Sequence, residues 1–241
     1  MSTLRSIATF ATLLVTAQLL AQSSTTVDPK ARQIAEATIE KMGGEKRWAD
    51  TRYLVWSNFR QMHYWDKWTG DFRWERDSLT AIMNILSMEG RFWIDGIEVV
   101  DEGELEERLE KVYARWVNNS YWLIMPYKLL DPGVNLAYMG EEQAEDGQSA
   151  DVLEVTFERV GLTPHNKYRV LIDKESGFVC QWTHWRNRDD PEARFTRPWT
   201  DWEDYDGVML STGRGGEGID IASLELPVEL PEEIFSRLVY H

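Results

Sequence analysis

The sequence predicts a mainly β protein with a smaller helical share (α+β): one strongly curved antiparallel sheet of about ten strands, with two helical segments against its concave side. Three observations predict it. Short segments rich in aromatic and β-branched residues alternate with turn signals along most of the chain. Only two long stretches carry the spacing of an amphipathic helix. No repeat, low-complexity tract or linker divides the 241 residues, and sequential hairpins are the simplest connection for so many strands.

Residues 1–21 read as a secretory signal: Arg5 is the only charge, 7–20 is an apolar run, and Ala21 is a plausible cleavage residue. Gln22 follows where a bacterial lipoprotein needs a lipidated Cys, so no stable membrane anchor is expected. The expected organisation is a signal at 1–21 and a single domain at 22–241, in a periplasmic or secreted protein. Asp28-Pro29 then caps a helix whose apolar residues run from Ala31 to Met42, and Gly43-Gly44 ends it. A helical turn is expected over 45–50. Strands are expected at 52–64, 72–78, 80–88, 91–94 and 97–100, with Asp95-Gly96 as a hairpin turn. An acidic helix begins at 101–110, where Leu105, Leu109, Val112 and Trp116 make one apolar stripe. Further strands are expected at 134–140, 150–159, 167–173, 178–187, 199–205, 208–214 and 219–226, and Pro231 opens a short terminal helix.

The charge is strongly acidic, with 41 Asp and Glu against 26 Lys and Arg and a net charge of −15. Such a chain does not attract nucleic acid or anionic headgroups non-specifically. The single Cys180 allows no internal disulfide. His63, His165, His184 and His241 lack the spacing of a metal site, and Cys180 and His184 would stand roughly 13 Å apart along a strand. Gly213, Gly215, Gly216 and Gly218 lack the Lys-Ser/Thr of a phosphate loop. Glu75 and Asp77 read as surface partners of Arg73 and Arg76 rather than a catalytic pair. No enzyme activity, metal or cofactor is expected.

Twelve tryptophans are the remaining signal. Read as one strand, 52–64 puts Tyr53, Val55 and Phe59 on one face and Leu54, Trp56, Met62 and Tyr64 on the other. A sheet oily on both faces needs helices on one and something further on the other: a second sheet, a partner or an apolar ligand. Residues 121–130 fit either a mobile cover for that surface or a buried plug. The candidate ligand-binding residues are Trp56, Trp74, Trp93, Trp122, Met125, Tyr127, Tyr138 and Trp182.

The order of motifs carries a resemblance: Met42-Gly43-Gly44, the block Tyr121-Trp122-Leu123-Ile124-Met125-Pro126-Tyr127, the strand Asp151-Val152-Leu153-Glu154-Val155, and Tyr205-Asp206-Gly207. It resembles a secreted bacterial family, common in Bacteroidetes, that is related to the LolA/LolB-like lipoprotein-sorting proteins. The resemblance implies a half-barrel of ten or eleven strands wrapped around helices, holding an apolar cavity, in a carrier without a catalytic centre. The expected function is that of a non-enzymatic periplasmic carrier for a lipid or lipoprotein acyl chain, with an envelope protein as possible partner. The alternatives are a carbohydrate-binding or carbohydrate-active protein using Trp stacking, and a structural subunit of an envelope complex.

Overall fold

The computed structural model describes residues 25–238, so the expected signal at 1–21 and His241 lie outside the described residues. Helix α1, Pro29–Lys41, starts where the sequence places it: Asp28 Oδ1 accepts the backbone N–H groups of Lys30 and Ala31 at 2.8 and 3.1 Å. It ends at Gly43, whose φ of 112° and 2.0 Å approach of a hypothetical Cβ to the Gly207 carbonyl oxygen both demand glycine. Helix α2 follows at Gly44–Asp50.

Seven strands then form the first antiparallel sheet. Six are a meander: β1 (Tyr53–Asn58), β2 (Gln61–Asp66), β3 (Asp71–Arg76), β4 (Leu79–Asn84), β5 (Gly90–Ile94) and β6 (Ile97–Glu98). The segment 52–64, expected as one strand, is the β1–β2 hairpin, turning at Phe59-Arg60. The turn reassigns the faces. Met62 and Tyr64 lie with Tyr53 and Val55, while Gln61, His63 and Trp65 join Leu54 and Trp56. On the inner face the pairings set Trp56, His63, Trp74, Ala81 and Phe92 in one row across the sheet.

Helix α3, Glu102–Ile124, packs on that row. Asp101 caps it through the Glu104 N–H at 2.9 Å, and Leu109, Val112 and Leu123 enter the core. It runs well beyond the expected acidic segment and absorbs the first part of 121–130; a 3-10 turn, Met125–Lys128, holds most of the rest. The opposite face of the first sheet carries the row Val55–Tyr64–Arg73–Ile82–Arg91. There Arg73 is fully buried, pairs with Glu75 at 2.5 Å, and donates to the carbonyls of Ile234 and Arg237 at 3.3 and 2.9 Å. The C-terminal 3-10 turn, Glu232–Phe235, therefore lies over this face.

The second sheet has β7 (Val134–Gln143), β8 (Ser149–Phe157), β9 (Lys167–Asp173), β10 (Val179–Trp185) and β11 (Phe195–Pro198), ordered β11-β10-β9-β8-β7. A hairpin of β12 (Thr200–Tyr205) and β13 (Val208–Gly213) is a third, and β14 (Ser223–Glu225) returns to pair with β1. The mainly β, antiparallel expectation holds. The single continuous curved sheet does not: among the described residues fourteen strands divide into sheets of seven, five and two. The chain passes from the first sheet to the second through α3, and no backbone ladder joins them among the described residues.

Two main cores result. One joins the first sheet to α3; the other joins the second sheet to α1 and the residues after α3. Buried Arg214 ties the two together, donating to Trp122 O at 3.1 and 2.8 Å and to Ser211 O and Gly213 O at 3.0 and 2.6 Å. Its guanidinium lies 3.5 Å from the Trp199 ring centroid. Burial pulls its pKa down to about 9, so it stays charged at neutral pH. No helix among the described residues is long and apolar enough to cross a membrane.

Candidate functional site

The eight predicted ligand-binding residues are not gathered at one hollow. Trp56, Trp74 and Tyr127 belong to the first core, whereas Met125 and Trp182 are in the second, with Trp122 and Tyr138 packed against it. Trp93 is buried outside both. Tyr127 stacks on Trp48 at 4.4 Å and donates to Met42 O at 2.5 Å, a structural anchor. Tyr138 donates to Asp151 at 2.9 Å.

Trp122 and Trp182 do meet, in a seam of aromatic rings where the end of α3 reaches the second sheet. Trp122 stands edge-on to Trp182 at 4.9 Å, 5.4 Å from Phe195 and, on its other side, 5.4 Å from Phe59. Tyr168 stacks on Trp182 at 5.3 Å and on His184 at 4.7 Å, and Tyr121 lies 5.5 Å from Tyr168. The surface expected to hold a ligand beneath 121–130 is thus occupied by Tyr121 and Trp122. Polar atoms within the seam go unpaired: Trp182 Nε1 and both ring nitrogens of His184 are buried with no partner among the described residues. Burial holds the His184 pKa down at about 4, so its ring is neutral.

Phe59 also walls an open cleft of about 440 Å³ at the turn end of the first sheet, together with Gln61, Lys111, Ala114, Arg115, Asn118 and Asn119. Behind it lies a buried polar network whose orientation follows from its donors. Trp74 Nε1 can only donate, so Gln61 Oε1 accepts it at 2.7 Å. A carbonyl can only accept, so His63 Nδ1 carries the proton toward Trp56 O at 3.1 Å. Its Nε2 then accepts from Asn119 Nδ2 at 2.9 Å, and the same amide reaches Gln61 Oε1 at 3.2 Å. Desolvation drives the His63 pKa down to about 3. The sequence reading missed this site. One signal pointed to it: Asn119 continues the stripe of Leu109, Val112 and Trp116, where an apolar residue is the norm.

A second cleft of about 590 Å³ lies beside the β9–β10 turn. Phe178 and Trp202, stacked at 4.7 Å, wall it, and Asp146, Glu175 and Asp201 are exposed at its edge. Cys180 also borders it, but burial pushes its thiol up to about 12, which leaves it a poor nucleophile. Among the described residues no group of three His, Cys, Asp or Glu side chains could hold a metal ion.

No protein-family model matches the chain, and no curated protein matches it. The structure is similar to that of a DUF1329 family protein from Desulfovibrio piger, at 14% identity over 86% of this chain and 97% of that one, with a TM-score of 0.45. It is similar to a LolA superfamily protein from Nitrosomonas europaea at 9% identity, with coverages of 86% and 97% and a TM-score of 0.38. It is also similar to MucB in complex with MucA(peri), at 12% identity, coverages of 86% and 59% and a TM-score of 0.23. These likenesses concern the fold alone, and none ties the chain to a Bacteroidetes-type family.

Proposed function

We propose that the protein is a non-enzymatic binding protein for an amphiphile, such as a lipid or a lipoprotein acyl chain, acting in the periplasm or outside the cell. The observation that carries this reading is the position of Trp122. Its part-buried ring joins the open cleft, through Phe59, to the aromatic face of the second sheet. Arg214 holds its backbone carbonyl, which would keep the chain in place if the ring swung aside. A ligand entering from the cleft would take the ring's place against Trp182 and Phe195. Removal of apolar area from water, at about 25 cal/mol per Å², would drive uptake.

Native mass spectrometry of gently purified protein and titration with anilinonaphthalene sulfonate test the reading. Trp122→Ala is expected to bind the dye at least about three-fold more tightly, because the truncation vacates the place the ligand would occupy. The reading fails if no lipid co-purifies and neither wild type nor variant shows a saturable site.

The second cleft favours a different reading, carbohydrate binding, through the stacked Phe178–Trp202 pair beside three exposed carboxylates. A soluble oligosaccharide should then protect part of the tryptophan emission from iodide quenching, and Trp202→Ala should abolish the protection. Quenching unchanged by a panel of neutral and acidic oligosaccharides would exclude it.

A further inference from the structure

The cleft at Phe59 has an electrostatic character at odds with the rest of this acidic chain. Lys111 and Arg115 stand one turn apart on α3, and both border it. Arg115 makes no ion pair among the described residues; its guanidinium lies 5.3 Å from the Trp74 ring centroid, and the charge it feels most is that of Arg76, of like sign. Burial, followed by Arg76, pulls its pKa below the usual value. Nearby, Arg60 and Arg76 share Asp77 at 3.6 and 3.7 Å, and Lys111 pairs with Glu107 on the exposed helix surface. Two cations and no carboxylate thus line the cleft in a protein with a net charge of −15.

The buried network adds donors. Trp74 and Asn119 both claim the Gln61 oxygen, so the Gln61 amide nitrogen faces away from them, and its one bond is a long 3.5 Å contact to Phe59 O. That bond uses one of its two hydrogens. Asn118 Nδ2 likewise gives one hydrogen to Asn119 Oδ1 at 2.9 Å and keeps the other. Two unspent amide donors and two cations border one cleft.

We infer that this cleft binds a phosphoryl oxyanion, with Arg115 and Lys111 neutralising it and Gln61 Nε2 and Asn118 Nδ2 donating to its oxygens. Four donor groups match the three or four oxygens of a phosphoryl group better than the two of a carboxylate. The group is either free phosphate or the headgroup of the amphiphile proposed above, with its chain beyond Phe59. Only the headgroup source rests on that proposal; the oxyanion site stands without it.

The test is calorimetric titration at low ionic strength with three probes: inorganic phosphate, dodecyl phosphate and uncharged dodecyl maltoside, the detergents kept below micelle formation. Wild type is compared with Arg115→Gln, Lys111→Gln and the surface control Arg91→Gln. Lys111 is exposed, so its variant reports even if loss of Arg115 perturbs folding. Dodecyl phosphate is expected to bind about ten-fold more tightly than dodecyl maltoside, with the preference lost in Arg115→Gln, reduced in Lys111→Gln and kept in Arg91→Gln. Competition by inorganic phosphate would assign the site to the phosphoryl group itself. Saturable phosphate binding that depends on Arg115, without binding of either detergent, would keep the oxyanion site and refute the amphiphile proposal. Equal binding of the two detergents, indifferent to Arg115 and Lys111, would do the reverse. Binding of none of the three would overturn both.

Discussion

His63 shows how one buried side chain sets a pH limit on the whole fold. Its ring is stacked on Trp56 at 4.5 Å, donates through Nδ1 and accepts through Nε2, so a second proton would displace Asn119 as well as charge a desolvated site. In the unfolded chain an imidazole takes a proton below about 6.5, but folded His63 does so only near 3 and His184 only near 4. Between those values the unfolded state binds more protons. Stability is therefore lost as pH falls below 6.5, by roughly 1.4 kcal/mol per pH unit for each such histidine. His63→Gln preserves an acceptor and a donor but cannot titrate. Urea unfolding at pH 6.0, 5.5 and 5.0 should give the variant about half the wild-type slope of free energy against pH. Equal slopes would mean that His63 is protonated in the folded protein.

At the scale of elements, the Phe59-Arg60 turn carries backbone strain beside the candidate site. Both residues have positive φ, 50° and 58°, a conformation that two-residue hairpins normally give to Asn-Gly. Arg60→Gly removes one of these strained residues at the expense of a loose surface pair with Asp77. It should stabilise the protein by about 1 kcal/mol in urea titration while leaving Phe59 on the cleft wall. A loss of stability would show that the turn is held by contacts of Arg60 rather than strained. The same turn is why 52–64 reads as one strand in the sequence. Without Gly, Asn or Pro at 59–60 there was no break to see in 52–64, and a two-residue turn shifts every later side chain to the other face. Elements with local chemistry were legible: the Asp28-Pro29 cap, the Asp95-Gly96 turn and the acidic start of α3. Strand β11 was not, because Phe195-Thr196-Arg197-Pro198 is a four-residue edge strand ending in proline, with little alternation to detect.

At the scale of the molecule, the sequence points to a second sheet, a partner or an apolar ligand over the first sheet, whereas the outer row carries Arg73 and Arg91 and its cover has no local signature. It is the chain's own C-terminal segment, held through Arg73 to residues 234 and 237. The link between the two cores is also remote in sequence, spanning 92 positions from Trp122 to Arg214. The candidate cleft escaped the sequence reading for the same reason, since Arg115 and Gln61 become neighbours only when α3 crosses the first sheet.

These two buried arginines make separable predictions about the whole fold. Arg214→Met removes the donors that satisfy Trp122 O, Ser211 O and Gly213 O, and Arg73→Met removes those for Ile234 O and Arg237 O. Each leaves at least one buried carbonyl without that donor, so each should lower unfolding free energy by about 3 kcal/mol, read from urea transitions. Their effects on binding should differ. Arg214 anchors the backbone beneath the Trp122 ring, so its loss should loosen that ring and raise uptake of anilinonaphthalene sulfonate. Arg73 lies on the far face of the first sheet, and its loss should leave dye binding at the wild-type level. Equal dye uptake by both variants at matched stability would mean that the dye reports general loosening, and that Trp122 is an ordinary core residue rather than the ring a ligand displaces.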